Sequence, residues 1–364
     1  MATIVTSDPF AGDFGQAVAY SPDLGVWVAT GQNPCVAAVS GDGENWGSLN
    51  DTHIYNGWSV CWSPSLGLFA AVGEKSSAPD NQRVSTSPDG LTWTGRGQAA
   101  FTGSGYPVGC CWSEDLGLFV AVGIRGTGNK SISTSTDGIA WTGRYGVAGD
   151  NWTGVCWSPD AALFVAVGQN GVSGDQVITS PDGITWTLRG QPFGVTATGG
   201  WSGHDVTWAP TAAVFVAVGE GDEVADPTGS SVITSPDGIT WTGQGNPFSG
   251  GGFNVGLGVA AGFCDTTETV LAVGWNGLGG VLLSSVDGGT TWTAEAGTFD
   301  GEGDKISYGP TSNFVAVGAT NVTAFRYNCI TVVTQYQRIY GWTVNISDDA
   351  LETVDPVLTS PQGF

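Results

Sequence analysis

An apolar segment that ends in glycine recurs seven times along the chain: Trp27-Val-Ala-Thr-Gly31, Phe69-Ala-Ala-Val-Gly73, Phe119-Val-Ala-Val-Gly123, Phe164-Val-Ala-Val-Gly168, Phe215-Val-Ala-Val-Gly219, Leu271-Ala-Val-Gly274 and Phe314-Val-Ala-Val-Gly318. Successive glycines lie 42, 50, 45, 51, 55 and 44 residues apart. A period of about 40 to 50 residues marks a propeller or a solenoid, because one such unit cannot bury both of its faces and is stable only when stacked on its neighbours. The unit is constant; its loops vary in length.

Each unit reads as strands. A short run ending in an aromatic and a turn precedes the apolar segment, as in Val60-Cys-Trp-Ser-Pro64 and Val155-Cys-Trp-Ser-Pro159. After it come a polar loop, a Ser/Thr-rich run such as Val232-Ile-Thr-Ser235, then Pro-Asp-Gly and Ile239-Thr-Trp-Thr242. Short β-branched and aromatic runs bounded by Gly, Pro and Asp are strands. Pro-Asp-Gly makes the hairpin: Pro presets φ, Asp bonds its own backbone and Gly accepts a positive φ. Each unit is thus expected to supply four antiparallel strands, and the chain to be an all-β, seven-bladed propeller.

The seventh unit is worn. Lys305 to Gly318 supplies two strands, but residues 334–342 lack Asp-Gly. The N-terminal Thr3-Ile-Val-Thr-Ser-Asp-Pro-Phe10 looks like the end of a unit, matching Asn246-Pro-Phe248 and Gln191-Pro-Phe193. It is expected beside the last blade, closing the ring as its outer strand or next to one. Residues 1–346 then form a single propeller, and 347–364, acidic and Pro-containing, an extended tail.

The hairpin turns resemble the Asp-box, or bacterial neuraminidase repeat, Ser-x-Asp-x-Gly-x-x-Trp. Ser285-Val-Asp-Gly-Gly-Thr-Thr-Trp292 fits it in full. Ser40-Gly-Asp-Gly-Glu-Asn-Trp46, Ser87-Pro-Asp-Gly-Leu-Thr-Trp93, Ser135-Thr-Asp-Gly-Ile-Ala-Trp141, Ser180-Pro-Asp-Gly-Ile-Thr-Trp186 and Ser235-Pro-Asp-Gly-Ile-Thr-Trp241 are one residue shorter, a contracted form. In that family the motif is a structural turn, found in sialidases and other glycosidases, sortilin-like receptors, photosystem assembly factors and assorted binding proteins; the resemblance implies an architecture and no single activity. The physical reading agrees. Asp42, Asp89, Asp137, Asp182, Asp237 and Asp287 can accept bonds from turn amides while the following Trp packs between blades. One carboxylate per turn falls short of the roughly six to eight oxygens that calcium takes.

Composition bounds the partners. Ten Lys plus Arg stand against 33 Asp plus Glu, a formal charge of -23, which disfavours nucleic acid and anionic lipid. No apolar run reaches the roughly 20 residues of a membrane span, and residues 1–14 have neither a basic start nor an apolar stretch. Cytoplasmic synthesis without a general export signal is the expectation. Seven cysteines, an odd count without a CxxC cluster, argue against a disulfide framework and a zinc site. Cys61, Cys111 and Cys156 hold the same place in three repeats and read as small buried residues.

Because strands alternate in direction, connections sort onto two faces. The turns between first and second strands and the Asp-Gly turns share one face and are uniformly short; the variable loops share the other. Binding is expected on the variable face. Every unit places an aromatic there: Phe14, Trp58, Tyr106, Trp152, Trp201, Phe253 and Phe299. Exposed, these would stack on sugars or anchor a protein; buried, they cover the blade tops. The second-to-third-strand loops add Asp80, Asn81, Arg125, Asn129, Lys130, Asp175, Asp222, Glu223, Asp226 and Trp275. From these sets the binding residues are taken as Trp58, Tyr106, Trp152, Trp201, Phe253, Asp80, Arg125, Asp175, Asp222 and Trp275.

No constellation names a reaction. Arg96, Arg144 and Arg189 fall at one repeated position, so they spread around a rim instead of converging on a carboxylate. His53 and His204 are too few for a usual metal triad, and no Gly-rich motif opens a helix, so neither metal nor cofactor is expected. The reading is a non-catalytic binding or structural propeller meeting a protein in an assembly or a surface glycan. Its acidity, single Met and richness in Gly, Thr, Ser and Trp resemble a virion protein such as a phage tail or capsid-surface component. Two other readings stay open: an Asp-box glycoside hydrolase, which needs converging carboxylates in a deep pocket, and a multivalent lectin.

Overall fold

The computed structural model of the chain describes residues 2–7, 10, 15–32, 37–47, 51–75, 82–98, 101, 103–126, 130–145, 150–170, 174–194, 203–221, 229–249, 254–264, 266–295, 303–309, 313–318 and 322–327. Residues 1–328 form one compact unit. The tail expected at 347–364 and the worn turn at 334–342 lie outside the described residues.

Every described element is a strand or a turn. Strand β1 (Ala2–Ser7) is followed by the meander β2 (Gly15–Ser21), β3 (Val26–Gly31), β4 (Ala37–Ser40). Then come β5 (Ile54–Ser63), β6 (Leu68–Lys75), β7 (Val84–Ser87), β8 (Thr94–Gly95), and β9 (Tyr106–Ser113), β10 (Leu118–Ile124), β11 (Lys130–Ser135), β12 (Thr142–Tyr145). The next meanders are β13 (Asp150–Ser158), β14 (Leu163–Asn170), β15 (Val177–Ser180), β16 (Thr187–Leu188), and β17 (Gly203–Ala209), β18 (Val214–Gly221), β19 (Val232–Ser235), β20 (Thr242–Gly243). The last two are β21 (Asn254–Cys264), β22 (Thr267–Trp275), β23 (Gly280–Ser285), β24 (Thr293–Ala294), and β25 (Gly303–Gly309), β26 (Asn313–Gly318), β27 (Val322–Tyr327). Pairing within each meander is antiparallel and sequential. Two departures from four strands per unit appear: the meander from β2 has three strands among the described residues, and β25–β26–β27 takes its fourth from the far end of the chain. There β1 pairs antiparallel with β27, from Ala2 opposite Tyr327 to Ser7 opposite Val322.

First strands pack side by side: β2 on β5, β5 on β9, β9 on β13, β13 on β17, β17 on β21, β21 on β25, and β25 on β2. The core is accordingly not one mass but a cluster at each junction between meanders. Val120, Ile132, Val155 and Phe164 join the third and fourth units, for example, and Leu271, Leu282, Ile306 and Phe314 the last two. Burying a Phe or Ile of this size contributes roughly 1.5–3 kcal/mol, so each meander depends on both neighbours.

The turns hold as their residue types dictate. Ser180 Oγ donates to Asp182 Oδ1 at 2.9 Å and accepts from Gly183 N at 2.8 Å, while Asp182 Oδ1 accepts from Ile184 N and Thr185 N, both at 2.8 Å. Trp186 Nε1 closes the turn on Gly183 O at 3.1 Å, and Gly183 sits at φ +70°. The turns of Asp42, Asp89, Asp137 and Asp237 share the aspartate-to-amide bonds and the Trp bond. The longer turn at Asp287 keeps the Trp bond by inserting one more left-handed residue: Gly288 and Gly289 both have positive φ, and Ser285 Oγ accepts from Gly289 N.

The repeated glycine at the end of each second strand has a cause that the sequence pattern does not disclose. Each first strand carries a β-bulge near its start, so the register skips one residue: Gly57 pairs with Gly73 but Ser59 with Val72, and Trp152 pairs with Gly168 but Gly154 with Val167. The bulge swings a carbonyl onto the facing residue. A Cβ at Gly73 would lie 1.7 Å from Asn56 O, and one at Gly168 2.3 Å from Asn151 O. Only glycine fits there.

Among the cysteines, Cys61, Cys110, Cys111 and Cys156 are free thiols. Cys110 is buried, whereas Cys61, Cys111 and Cys156, expected to be buried, are half-buried; desolvation still pushes those three thiols well above their ordinary range, so they stay protonated. Although the cysteine count argued against a disulfide framework, Cys264 is disulfide-bonded.

Candidate functional site

First strands begin, and second strands end, on the side of the long connections, and there the bulges gather. The skipped residues are Gln16, Trp58, Val108, Thr153, His204, Leu257 and Asp304. The residues just after them are Ala17, Ser59, Gly109, Gly154, Asp205, Gly258 and Lys305. Most are small because adjacent first strands approach backbone to backbone. A Cβ would lie 2.7 Å from Thr153 O at Gly109, 2.7 Å from Asp205 Cα at Gly154 and 2.8 Å from Lys305 Cα at Gly258.

Asp205 and Lys305 break the pattern and meet. Lys305 Nζ lies 3.0 Å from Asp205 Oδ1, a bond that links β25 to β17, the two first strands on either side of β21. Lys305 Nζ also donates to His204 O at 3.2 Å, and Asp205 Oδ2 accepts from Val259 N at 3.2 Å. A cavity of about 140 Å³ opens between the first strands, lined by Ser59, Cys110, Thr153, Asp205 and Lys305 among others. Next to it His204 Nε2 stands 3.6 Å from Glu220 Oε1, where β18 pairs with the start of β21. Among the described residues no hydrogen-bond partner reaches His204 Nε2, Asn254 Oδ1 or Trp58 Nε1, all of them buried atoms. His204 and Asn254 lie at the starts of β17 and β21, and Trp58 lies near the start of β5. Asp205, Lys305 and Glu220 were not singled out in the sequence; the signal of Asp205 and Lys305 is the charge at a position that is otherwise Ala, Ser or Gly, visible only once the bulges are aligned.

The predicted aromatics do not form a ring of equivalents. Trp58 is a bulge residue, Trp152 pairs one place earlier, opposite Gly168, and Tyr106 one earlier still, opposite Ile124. Trp58 and Tyr106 stack, with ring centroids 6.3 Å apart and planes 20° from parallel. Burial first, and then the carboxylate of Glu74, push the Tyr106 phenol up. Glu74 Oε2 in turn accepts from Asn56 Nδ2 at 2.8 Å. Trp152 is fully buried with Val120, Val122 and Ile132, so it serves the core and offers no ring to a ligand. It fills the junction that Phe101, Phe193 and Phe248 fill elsewhere.

Arg125 is exposed, with its backbone N donating to Asn151 Oδ1 at 3.2 Å. Asp175 Oδ1 accepts from Gly190 N at 2.7 Å, a loop-holding role, and Trp275 is half-buried at the end of β22. Trp201, Phe253, Asp80 and Asp222 lie outside the described residues, as do Phe14, Phe299, Asn81, Asn129, Glu223 and Asp226. The three repeated arginines are structural. Nε of Arg96, Arg144 and Arg189 donates to Thr86, Thr134 and Thr179 Oγ1 at 2.7, 3.0 and 2.8 Å, tying the fourth strand to the third within each meander. Among the described residues no three of His, Cys, Asp and Glu gather as metal ligands, and no helix is long and apolar enough to cross a membrane.

No protein-family model and no curated protein matches the chain in sequence. Solved structures do match in fold. YCF48 from Cyanidioschyzon merolae aligns at TM-score 0.59 and 15% identity over 88% of this chain and 98% of its own; YCF48 is also solved bound to D1 peptide. The GH74 enzyme of Niastella koreensis aligns at TM-score 0.62 and 15% identity over 88% of this chain and 53% of its own, so this chain spans about half of it. Streptogramin B lyase aligns at TM-score 0.64 and 10% identity over 89% of this chain and 97% of its own. At such identities the likeness shows the fold, a β-propeller, and these propellers include a binding protein and two enzymes.

Proposed function

We propose that the chain is a closed propeller of seven blades with Asp-box turns, and that it works as a non-catalytic binding module that seats a protein segment over its central channel on the long-loop face. Closure is supported by the packing of β25 on β2 and by the β1–β27 ladder. Phe10 supports it too: it packs on Val315 and Val317 as Phe193 packs on Val165 and Val167. The propeller spans residues 1–346 in this reading, with 347–364 as a tail. The Asp-box assignment is supported by the bonding of Ser, Asp, Gly and Trp in the turns described above.

One observation carries the binding role: the Trp58–Tyr106 stack on the long-loop side, whose indole N–H has no hydrogen-bond partner among the described residues. Aromatic side chains with a polar tip are the commonest anchors of protein interfaces. Arg125, Trp275 and the His204–Glu220 pair add charged, aromatic and polar groups on the same long-loop side of other meanders. A place within a larger assembly, such as a phage tail or capsid surface, extends the same reading and is supported by composition.

The test is to probe peptide and glycan arrays with the full chain and with Trp58→Ala and Tyr106→Ala. Peptide binding that weakens about tenfold or more in either variant, with unchanged circular dichroism, is the expected outcome. Turnover of fluorogenic glycosides would overturn it in favour of a hydrolase; binding of several equivalent glycans per chain would do so in favour of a lectin.

A further inference from the structure

The opposite face, built from short turns, has its own chemistry. The turns joining first to second strands at 22–25, 64–67, 114–117, 159–162 and 210–213, and the Ser-Asp turns at 41–45, 88–92, 136–140, 181–185, 236–240 and 286–291, contain no Lys, Arg or His. They are rich in exposed aliphatic side chains. Leu91 is 50% exposed, Ile139 54%, Ile184 46% and Ile239 51%, all at one position of four consecutive Ser-Asp turns; Leu24, Leu66 and Leu116 are similarly exposed at one position of three consecutive first turns.

An isolated exposed leucine means nothing. Here the residues recur at equivalent places in neighbouring meanders, and the turns that carry them lie against one another. A Cβ at Gly138 would be 2.9 Å from Leu68 and one at Gly183 3.0 Å from Leu118, so each Ser-Asp turn leans over the meander before it. The turn bearing Ile139 therefore lies on the meander bearing Leu66, and that of Ile184 on the one bearing Leu116. Exposed acids are interleaved with the aliphatics and are held in place. Trp62 Nε1 donates to Asp23 Oδ2 at 3.0 Å, Trp157 Nε1 to Asp115 Oδ2 at 2.8 Å and Trp208 Nε1 to Asp160 Oδ2 at 3.0 Å, each bond joining one meander to the turn of the previous one. Three of the arc's acids are thus held in place by the protein itself, which lowers the entropic cost of docking.

We infer that this face is a second docking surface, and that its occupant is a protein surface or segment in which aliphatic side chains alternate with lysine or arginine. Charge selects that occupant: the arc presents carboxylates and no cation, so a basic partner gains Coulomb attraction at the rim while the aliphatic row supplies apolar area. A second copy of the chain would bring acid against acid. With the long-loop face on one side and this arc on the other, the propeller would bridge two partners.

Full-length protein titrated with a synthetic amphipathic leucine–lysine peptide, and with a glycine–serine–lysine peptide of equal charge, tests the inference. Replacing the four turn aliphatics together (Leu91→Ser, Ile139→Ser, Ile184→Ser, Ile239→Ser) is expected to weaken the leucine–lysine peptide about tenfold or more and to leave the leucine-free peptide unchanged. Hydroxyl-radical footprinting should then protect Leu66, Leu116 and Ile139 on binding. Equal affinity for the parent and the fourfold variant, or protection centred on Trp58 and Tyr106, overturns the inference. So does concentration-dependent self-association that the variant abolishes, because the face would then belong to a second copy. Should the fourfold variant not fold, Ile139→Lys alone gives the same comparison by charge repulsion.

Discussion

At Asp182 a single carboxylate organises five residues of chain. Burial pushes its pKa up, but the amides of Thr185 and Ile184, which donate to it, outweigh that and leave it below the ordinary 3.8. At Asp137 and Asp237 the amide bonds are themselves the largest influence, with the same downward result. A folded pKa below the unfolded one means the charge stabilises the fold at every pH above the unfolded value and ceases to do so as pH falls through the folded value. Asp182→Asn retains an acceptor for the amides and loses only the charge. Its deficit should be about 1 kcal/mol at pH 6, unchanged down to the unfolded pKa near 3.8, and should shrink below it. Thermal melts of both proteins at stepped pH check this; a deficit that stays constant to pH 2.5 would mean that shape, not charge, holds the turn.

At the level of strands, the hairpins were legible because their causes are local. Pro-Asp-Gly and the Phe-Val-Ala-Val-Gly run each act within a few residues, and each stands in the structure where the pattern puts it. Bulges were not legible, since they arise from how two strands face one another, and the aromatics suffered for it: Trp58, Tyr106 and Trp152 look equivalent in sequence but occupy three successive registers. The pairing of β1 was legible through Pro-Phe10, a fragment of repeat that makes sense only beside the last meander. Its energetic weight can be measured. Six residue pairs join β1 to β27, and at about 1 kcal/mol per hydrogen bond removal of residues 1–9 should cost roughly 3–6 kcal/mol and leave β27 as an open edge prone to association. The truncated chain is expected to melt earlier and to form oligomers, and a synthetic peptide of residues 1–9 added in trans should restore the melting temperature. No rescue at high peptide concentration would indicate that β27 is held without β1.

For the molecule as a whole, the decisive contact lies between parts of the chain too distant for any local pattern to announce. Asp205 and Lys305 are 100 positions apart in number, on first strands separated by a third, and neither belongs to a motif. What unites them is the cavity between the first strands, whose lining includes the small residues Ala17, Ser59, Gly109 and Gly154 beside these two charged side chains. Two magnitudes compete for this pair. As an exposed ion pair it would contribute under about 1 kcal/mol; as a buried one, loss of a single partner would cost on the order of 3–5 kcal/mol because the other charge is stranded. Side-chain exposures of 20% and 16%, and the further bonds to His204 O and Val259 N, place it nearer the second. Lys305→Met is therefore expected to cost roughly 2–4 kcal/mol, leaving Asp205 with one amide. Asp205→Leu with Lys305→Met should be less destabilised than the sum of the two single variants, since neither charge is then stranded. Urea melts of the four proteins at low and high salt give the coupling directly. A coupling below about 0.5 kcal/mol that falls further with salt would show that water reaches the pair freely, and that the meanders are held together by their apolar junctions alone.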